Sequence, residues 1–276
     1  MRVLSFVALA AFILVAGVLQ AEESNGKRLI EAELIADSET LVPGRGLTVG
    51  VHLKIAEGWH TYWANPGDSG IPVTVDWELP EGVRVGEIQW PLPRRMEEPG
   101  DLKVYAYKDE VLLMTRVFVR PGTDLDEVTL KADVDWLVCR ESCLPGDARL
   151  SLTLPVADDV EPVNTEFFEQ YREKLPRQFA LGNGGLETKW EREGDTLYLL
   201  VRNIPEGAKV DFYPRPESHV LVGHADEVES YDGGADFSPD RVLSLPLESA
   251  PEDLGQLGGV LILEEGPDQD RKGWGL

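Results

Sequence analysis

Cysteine is almost absent from this chain: 276 residues contain two, Cys139 and Cys143, and histidine numbers only four. Metal binding has little support at this level, because Cys-x3-Cys lacks a second pair and the histidines lie far from it in sequence. Basic residues are scarce relative to acidic ones, 26 against 50, for a formal charge of −24. That balance excludes a nucleic-acid binder tracking phosphates and disfavours docking on anionic lipid; an acidic surface can instead steer a basic partner. No Gly-x-Ser-x-Gly, phosphate loop or His-Glu-x-x-His is present. No carboxylate pair stands out from the acidic background, and neither a cofactor nor a metal is expected.

Long apolar runs are missing after the first 21 residues. Met1-Arg2 supplies a positive start, Val3 to Val18 is apolar apart from Ser5 and Gly17, and Gln20-Ala21 gives way to Glu22-Glu23. This reads as an export signal cleaved after Ala21, with an uncleaved anchor as the alternative. No cysteine follows the run to carry a lipid. The expected product is an exported, periplasmic chain whose only membrane segment is the signal, in a compartment where disulfides persist.

In that setting the spacing of the cysteines is informative. They sit in Trp136-Leu137-Val138-Cys139-Arg140-Glu141-Ser142-Cys143-Leu144-Pro145-Gly146. By the chain-entropy argument, closing so short a loop adds roughly 2 kcal/mol, against nearly 5 for a loop of about a hundred residues. A chain of this size buries a core without a staple. A sole disulfide that stabilises so little invites a redox reading, with a structural tie as the alternative. Arg140 would lower a thiol pKa and Glu141 would oppose it. Pro145-Gly146 is expected to turn the chain directly after Cys143.

The rest of the chain alternates. Leu47 to Leu53, Val73 to Trp77, Val111 to Val119, the face Val134/Trp136/Val138 and the face Leu150/Leu152/Leu154 read as strands separated by Pro-Gly, Asn-Pro-Gly and Leu-Pro-Glu-Gly breaks. Many short strands of this kind imply an all-β fold of tandem immunoglobulin-like β-sandwich domains. The expected division is 28–156 for the first, 157–183 for a short helical linker, 184–265 for a smaller second β domain and 266–276 for a polar, frayed tail. In the linker, Phe167, Tyr171, Leu175 and Phe179 recur every four residues, Asn164 or Thr165 can cap, and Pro176 ends or kinks the helix. Second-domain strands are expected at Thr196–Val201, Val210–Tyr213, Val220–Val222, Val242–Leu247 and Gly259–Leu263.

Two aromatic groups remain. Trp59, His60 and Trp63 head the stretch Gly58 to Gly70, which reads as a rigid platform loop and, alternatively, as a glycan- or protein-binding surface on a non-catalytic module. His60 on its own reads as a hydrogen-bonded partner. Tyr105 and Tyr107, expected in a turn, are candidates for a cap that shields a reactive sulfur.

Taken together, Gly58 to Gly70 with Pro72, Ile88-Gln89-Trp90-Pro91-Leu92-Pro93, Tyr105-Ala106-Tyr107 and Trp136 to Gly146 resemble the periplasmic N-terminal region of the DsbD/ScsB disulfide reductases, in its ScsB-like branch. The resemblance spans roughly residues 28–265. It implies that Cys139 and Cys143 are the catalytic pair of a protein-disulfide reductase pathway, serving cytochrome assembly or metal-stress tolerance. In that family a membrane domain and a thioredoxin-like domain reduce the pair, which then reduces partner disulfides. Thioredoxin-like periplasmic proteins are the implied partners. The sequence stops at Leu276 without those further domains, so a separate membrane electron donor is expected, with a truncated or stand-alone relay as the alternative.

Overall fold

The computed structural model describes residues 26–178, 185–216, 223–233, 236–247, 257–265 and 270–276. The export signal, Phe179 and the strand expected at 220–222 lie outside the described residues. In chain order the first strands are β1 (Ile30–Ala36), β2 (Gly46–Ile55), β3 (Thr61–Gly67), β4 (Thr74–Glu78), β5 (Val83–Val85), β6 (Arg94–Glu98), β7 (Leu102–Tyr107), β8 (Glu110–Val119), β9 (Glu127–Cys139) and β10 (Cys143–Pro155). Helix α1 (Thr165–Glu173) follows. Then come β11 (Arg177–Gln178), β12 (Glu187–Glu193), β13 (Thr196–Arg202), β14 (Lys209–Pro214), β15 (Asp226–Glu227), β16 (Arg241–Pro246), β17 (Gly259–Glu265) and β18 (Asp270–Gly275).

Among the described residues the fold is a tandem of β-sandwiches with one short α-helix. In the first, the antiparallel sheet β1-β2-β8-β5 faces the sheet β10-β9-β4. Strand β9 shows why: Val128, Leu130, Ala132, Val134, Trp136 and Val138 alternate inward and are all buried, as the two-residue period of a strand requires. They meet Val51, Leu53, Val111 and Leu113 at one end of the core and Val49, Val117 and Val119 at the other. The opposite face of β2 and β8 is covered as well. Phe168 and Tyr171 of α1 pack on Leu112 and Met114, so these central strands lack the polar outer face of an open sheet. The helix stops at Glu173, before Pro176, and Asn164 stands at its N-cap without accepting a bond from the helix, its Nδ2 donating instead to Ala36 O.

The second sandwich sets β11-β18-β17-β14 against β12-β13-β16-β15. Strands β14 and β17 serve two cores. Phe212, Leu261 and Leu263 face their own sandwich, while Tyr213, Val260 and Ile262 join the core of the first. Polar contacts lock this junction: Arg95 Nη1 donates to Asp211, Asn65 Nδ2 to Pro214 O and Arg271 Nη1 to Pro93 O. A fifth, small sheet, β3-β7-β6, lies along this junction and also reaches the cysteines.

Three local expectations are corrected. The segment 270–275 is not a frayed tail. It is β18, paired with β17 along Val260 to Glu265, with Trp274 on the second core and Gly273 fitted against Leu92. The stretch after Gly58 is not a platform loop, because Thr61–Gly67 form β3 with Tyr62 and Trp63 buried. Pro145-Gly146 makes no turn. Both residues lie within β10, an edge strand where a missing N–H is tolerated, and Gly146 is needed because a Cβ there would sit 2.4 Å from Trp136 Nε1.

Candidate functional site

Strands β9 and β10 pair without a break from Glu127 opposite Pro155 to Cys139 opposite Cys143. The cysteines form the last rung of this hairpin, Arg140-Glu141-Ser142 close it, and the two sulfurs are joined as a disulfide. A ladder of that length holds the hairpin by itself. The bond therefore contributes little beyond the roughly 2 kcal/mol of its short loop.

The two cysteines have unlike surroundings. Cys139 is 1% exposed and packs with Tyr62, Val104 and Ala106, with Met96 and Leu137 at the margin. Cys143 is exposed. Cys143 is thus the residue open to a second molecule, and Cys139 is held behind it.

His60 and Tyr62 arrive at the pair from the start of β3. The His60 main chain exchanges both hydrogen bonds with Cys139, at 3.0 and 2.9 Å. Thr61, facing the other way, donates its hydroxyl to Leu137 O. Two residues on from His60, Tyr62 lies on the same side of the strand, and the two rings meet edge to face at 5.3 Å. Gly70 then crosses the Tyr62 ring with φ +102°, so closely that a Cβ would lie 2.3 Å from it. Only glycine combines that backbone with that approach.

Glu98, the last residue of β6, ties this group together. Its Oε1 accepts a hydrogen bond from Tyr62 Oη and another from His60 Nε2, both at 2.8 Å. Tyr62 Oη also lies 3.8 Å from Cys143 Sγ. Burial and the Glu98 carboxylate push the Tyr62 phenol well above its usual pKa, so it stays a neutral donor. Burial pulls His60 below its ordinary value, with Glu98 opposing that shift. The result is a buried chain His60–Glu98–Tyr62 ending at the exposed sulfur. It can hold a proton near a thiolate at Cys143 or hand it a hydrogen bond.

Residues 28–155 match the family model described as thiol:disulfide interchange protein DsbD, N-terminal. Those residues, somewhat under half of the chain, are similar to that family's N-terminal domain. Among solved structures, the N-terminal periplasmic domain of ScsB from Proteus mirabilis is similar with a TM-score of 0.59 and 16% identity, over 90% of this chain and 92% of that one. At this identity the likeness is one of fold, and it extends across both sandwiches. The N-terminal domain of Neisseria meningitidis DsbD in its reduced form aligns over 48% of this chain and 94% of its own, at 14% identity and a TM-score of 0.27, too loose a superposition to add to the argument. Among curated proteins, nothing matches the chain.

Within the first sandwich the structure sorts the residues singled out from the sequence. His60 comes to the cysteines. Trp59 stands beside the hairpin loop, with the Arg140 guanidinium 5.1 Å over its ring. Trp63, Tyr105 and Tyr107 do not come to the sulfurs. In β7 the even residues Val104 and Ala106 face Cys139, so the odd ones face the opposite side. Tyr105 stacks on Tyr213 and bonds His224 Nδ1 at 2.7 Å. Tyr107 is buried and donates to Pro91 O at 2.6 Å. The expected cap of Tyr105 and Tyr107 in a turn is therefore corrected to two core residues of a strand. The glycan platform loses Trp63 in the same way, since that ring is 2% exposed and packs on Tyr105 and Tyr213.

Sequence reasoning missed Tyr62 and Glu98. Reading Gly58 to Gly70 as a strand would have put Tyr62 beside His60 by simple alternation. For Glu98 there was no signal, because it is one of fifty acids.

Proposed function

We propose that this chain is a periplasmic thiol–disulfide exchange module that passes reducing equivalents through Cys139 and Cys143 to the disulfides of thioredoxin-like partners, as a component of a protein-disulfide reductase pathway fed by a separate membrane electron donor. One observation carries the reading: the sole disulfide sits at a hairpin tip with Cys143 exposed and Cys139 buried behind it. The match of residues 28–155 to a family described by thiol:disulfide interchange supports it.

The steps balance as follows. In the reduced module the Cys143 thiolate attacks one sulfur of a partner disulfide, forming a mixed disulfide and releasing the partner's other sulfur as a thiolate, which takes up a proton. The Cys139 thiol loses its proton and attacks Cys143 Sγ. That closes the Cys139–Cys143 bond and frees the partner as a dithiol. Two electrons and two protons have moved to the partner. Tyr62 supplies a neutral hydrogen-bond donor at Cys143, and Glu98 keeps that phenol in place.

Separate Cys139→Ser and Cys143→Ser variants, expressed in the periplasm and run on non-reducing gels, test the assignment. Cys139→Ser should accumulate thiol-sensitive adducts, because the exposed Cys143 attacks and nothing resolves the product. Cys143→Ser should not. Adducts on neither variant, with a reducing donor supplied, would overturn the exchange reading.

A further inference from the structure

His60, Glu98 and Cys139 bring three ligand atoms within 4.8 Å of one another, and Cys143 Sγ is bonded to Cys139 Sγ. We propose that, once the disulfide is opened, Cys139, Cys143, His60 and Glu98 together bind one divalent cation of the zinc type, which makes the pair a redox-gated metal site. Sequence spacing gave no hint of this, because His60 and Glu98 reach the cysteines only through the β3–β9 bridge and the end of β6.

The donor set is two thiolates, one imidazole and one carboxylate, which suits a tetrahedral zinc ion. Zn–S bonds near 2.3 Å and Zn–N bonds near 2.0–2.1 Å place such ligand atoms roughly 3.3–3.8 Å apart. From a spread of up to 4.8 Å the longest separation needs to close by about an ångström, the His60–Glu98 pair at 2.8 Å needs to open by about half an ångström, and the sulfurs part on reduction. The main-chain pairing of His60 with Cys139 already fixes two ligands relative to each other. His60 Nε2 donates to Glu98 Oε1 at 2.8 Å; as the cation comes between them the imidazole proton moves to Nδ1 by way of solvent, so that a neutral His60 ligates through Nε2. Tyr62 remains on Glu98, the outer-shell partner that orients a carboxylate ligand. The exposed Cys143 is the way in.

Gating follows from the chemistry. Bonded to each other, the sulfurs offer no thiolate. Reduction by a dithiol or a phosphine yields two thiols, and each loses its proton to the solvent as the cation binds. No electron moves in the binding step. A bound cation occupies Cys143 and halts exchange. The site needs only that the pair can be reduced, whether or not it passes electrons to a partner.

The test uses the chain reduced with a phosphine, freed of it without oxygen, and titrated with Zn²⁺ against a chromophoric chelator, with no partner present. One zinc per reduced chain and none per oxidised chain is expected. His60→Gln and Glu98→Gln should each weaken binding by at least the roughly tenfold that loss of even an outer-shell partner costs. Co²⁺ on the unaltered reduced chain should show tetrahedral d–d bands and a sulfur-to-cobalt charge-transfer band, a readout independent of how the variants fold. Wild-type affinity in both variants, less than one zinc per chain, or an octahedral cobalt spectrum would overturn the site. None of these results bears on whether the cysteine variants trap partners.

Discussion

The Tyr62 hydroxyl lies 3.8 Å from Cys143 Sγ while its proton is donated to Glu98 Oε1 at 2.8 Å. In the disulfide state the carboxylate is the better acceptor. After reduction a thiolate at Cys143 competes for the same proton, and a buried phenol held neutral cannot ionise away from the task. Tyr62→Phe keeps the ring under Gly70 and removes only this donor. Alkylation of the reduced pair by iodoacetamide, in chelator-treated buffer at neutral pH, should slow by roughly tenfold, the lower end of what a hydrogen bond to a charged group contributes. An unchanged rate would make Tyr62 a packing residue only.

Tyr107 is the contrasting case. Its ring is buried in the main core and its hydroxyl is satisfied by Pro91 O. Tyr107→Ala should cost about 3–5 kcal/mol in a urea melt, the range for truncating a core aromatic. A variant of near-native stability with faster thiol chemistry would restore the capping role that the structure takes from it.

These two tyrosines show how far the sequence could be read. Alternation and turn residues were enough for the strands of both sandwiches and for the hairpin that presents the cysteines, because a half-buried strand writes its burial into every second residue. The alternation failed at β3, whose aromatics on either side looked like a loop platform, although β2 and β8, also covered on both faces, were legible. It failed again at β18, where Arg271-Lys272-Gly273-Trp274-Gly275 offers one large apolar residue and no alternation. The site was legible only as its cysteines and His60. Glu98 stands at the end of β6, on the far side of β7 from β3, and its side chain meets His60 and Tyr62, a tertiary contact with no local trace in a strongly acidic chain.

Gly70 is the tightest constraint near the sulfurs. Its φ of +102° is one that other residues rarely adopt, and a Cβ would enter the Tyr62 ring. Gly70→Ala should lower stability by about 1–3 kcal/mol through backbone strain. It should also displace Tyr62, so that iodoacetamide reactivity shifts toward that of Tyr62→Phe. Native stability together with native reactivity would show that the loop moves aside freely.

The junction of the two sandwiches makes a pH-dependent prediction. Arg95 and Asp211 pair across it, their side chains 22% and 24% exposed. Burial raises Asp211 above the usual carboxylate range, and Arg95 pulls it back. A carboxyl raised in the folded state favours folding while protonated. That contribution is complete below the unfolded value of about 3.9 and is lost as pH rises through the folded one. Arg95→Met raises the folded value further and leaves a carboxylate without its partner at neutral pH, at a cost of about 3 kcal/mol, the lower end for breaking a buried pair. As the pH falls and Asp211 takes up its proton, the deficit should shrink. Urea melts of both proteins at pH 7.5 and pH 4.5 check this. A deficit of the same size at both would mean that Arg95 holds the junction through its bond to Ala225 O and not by balancing the Asp211 charge.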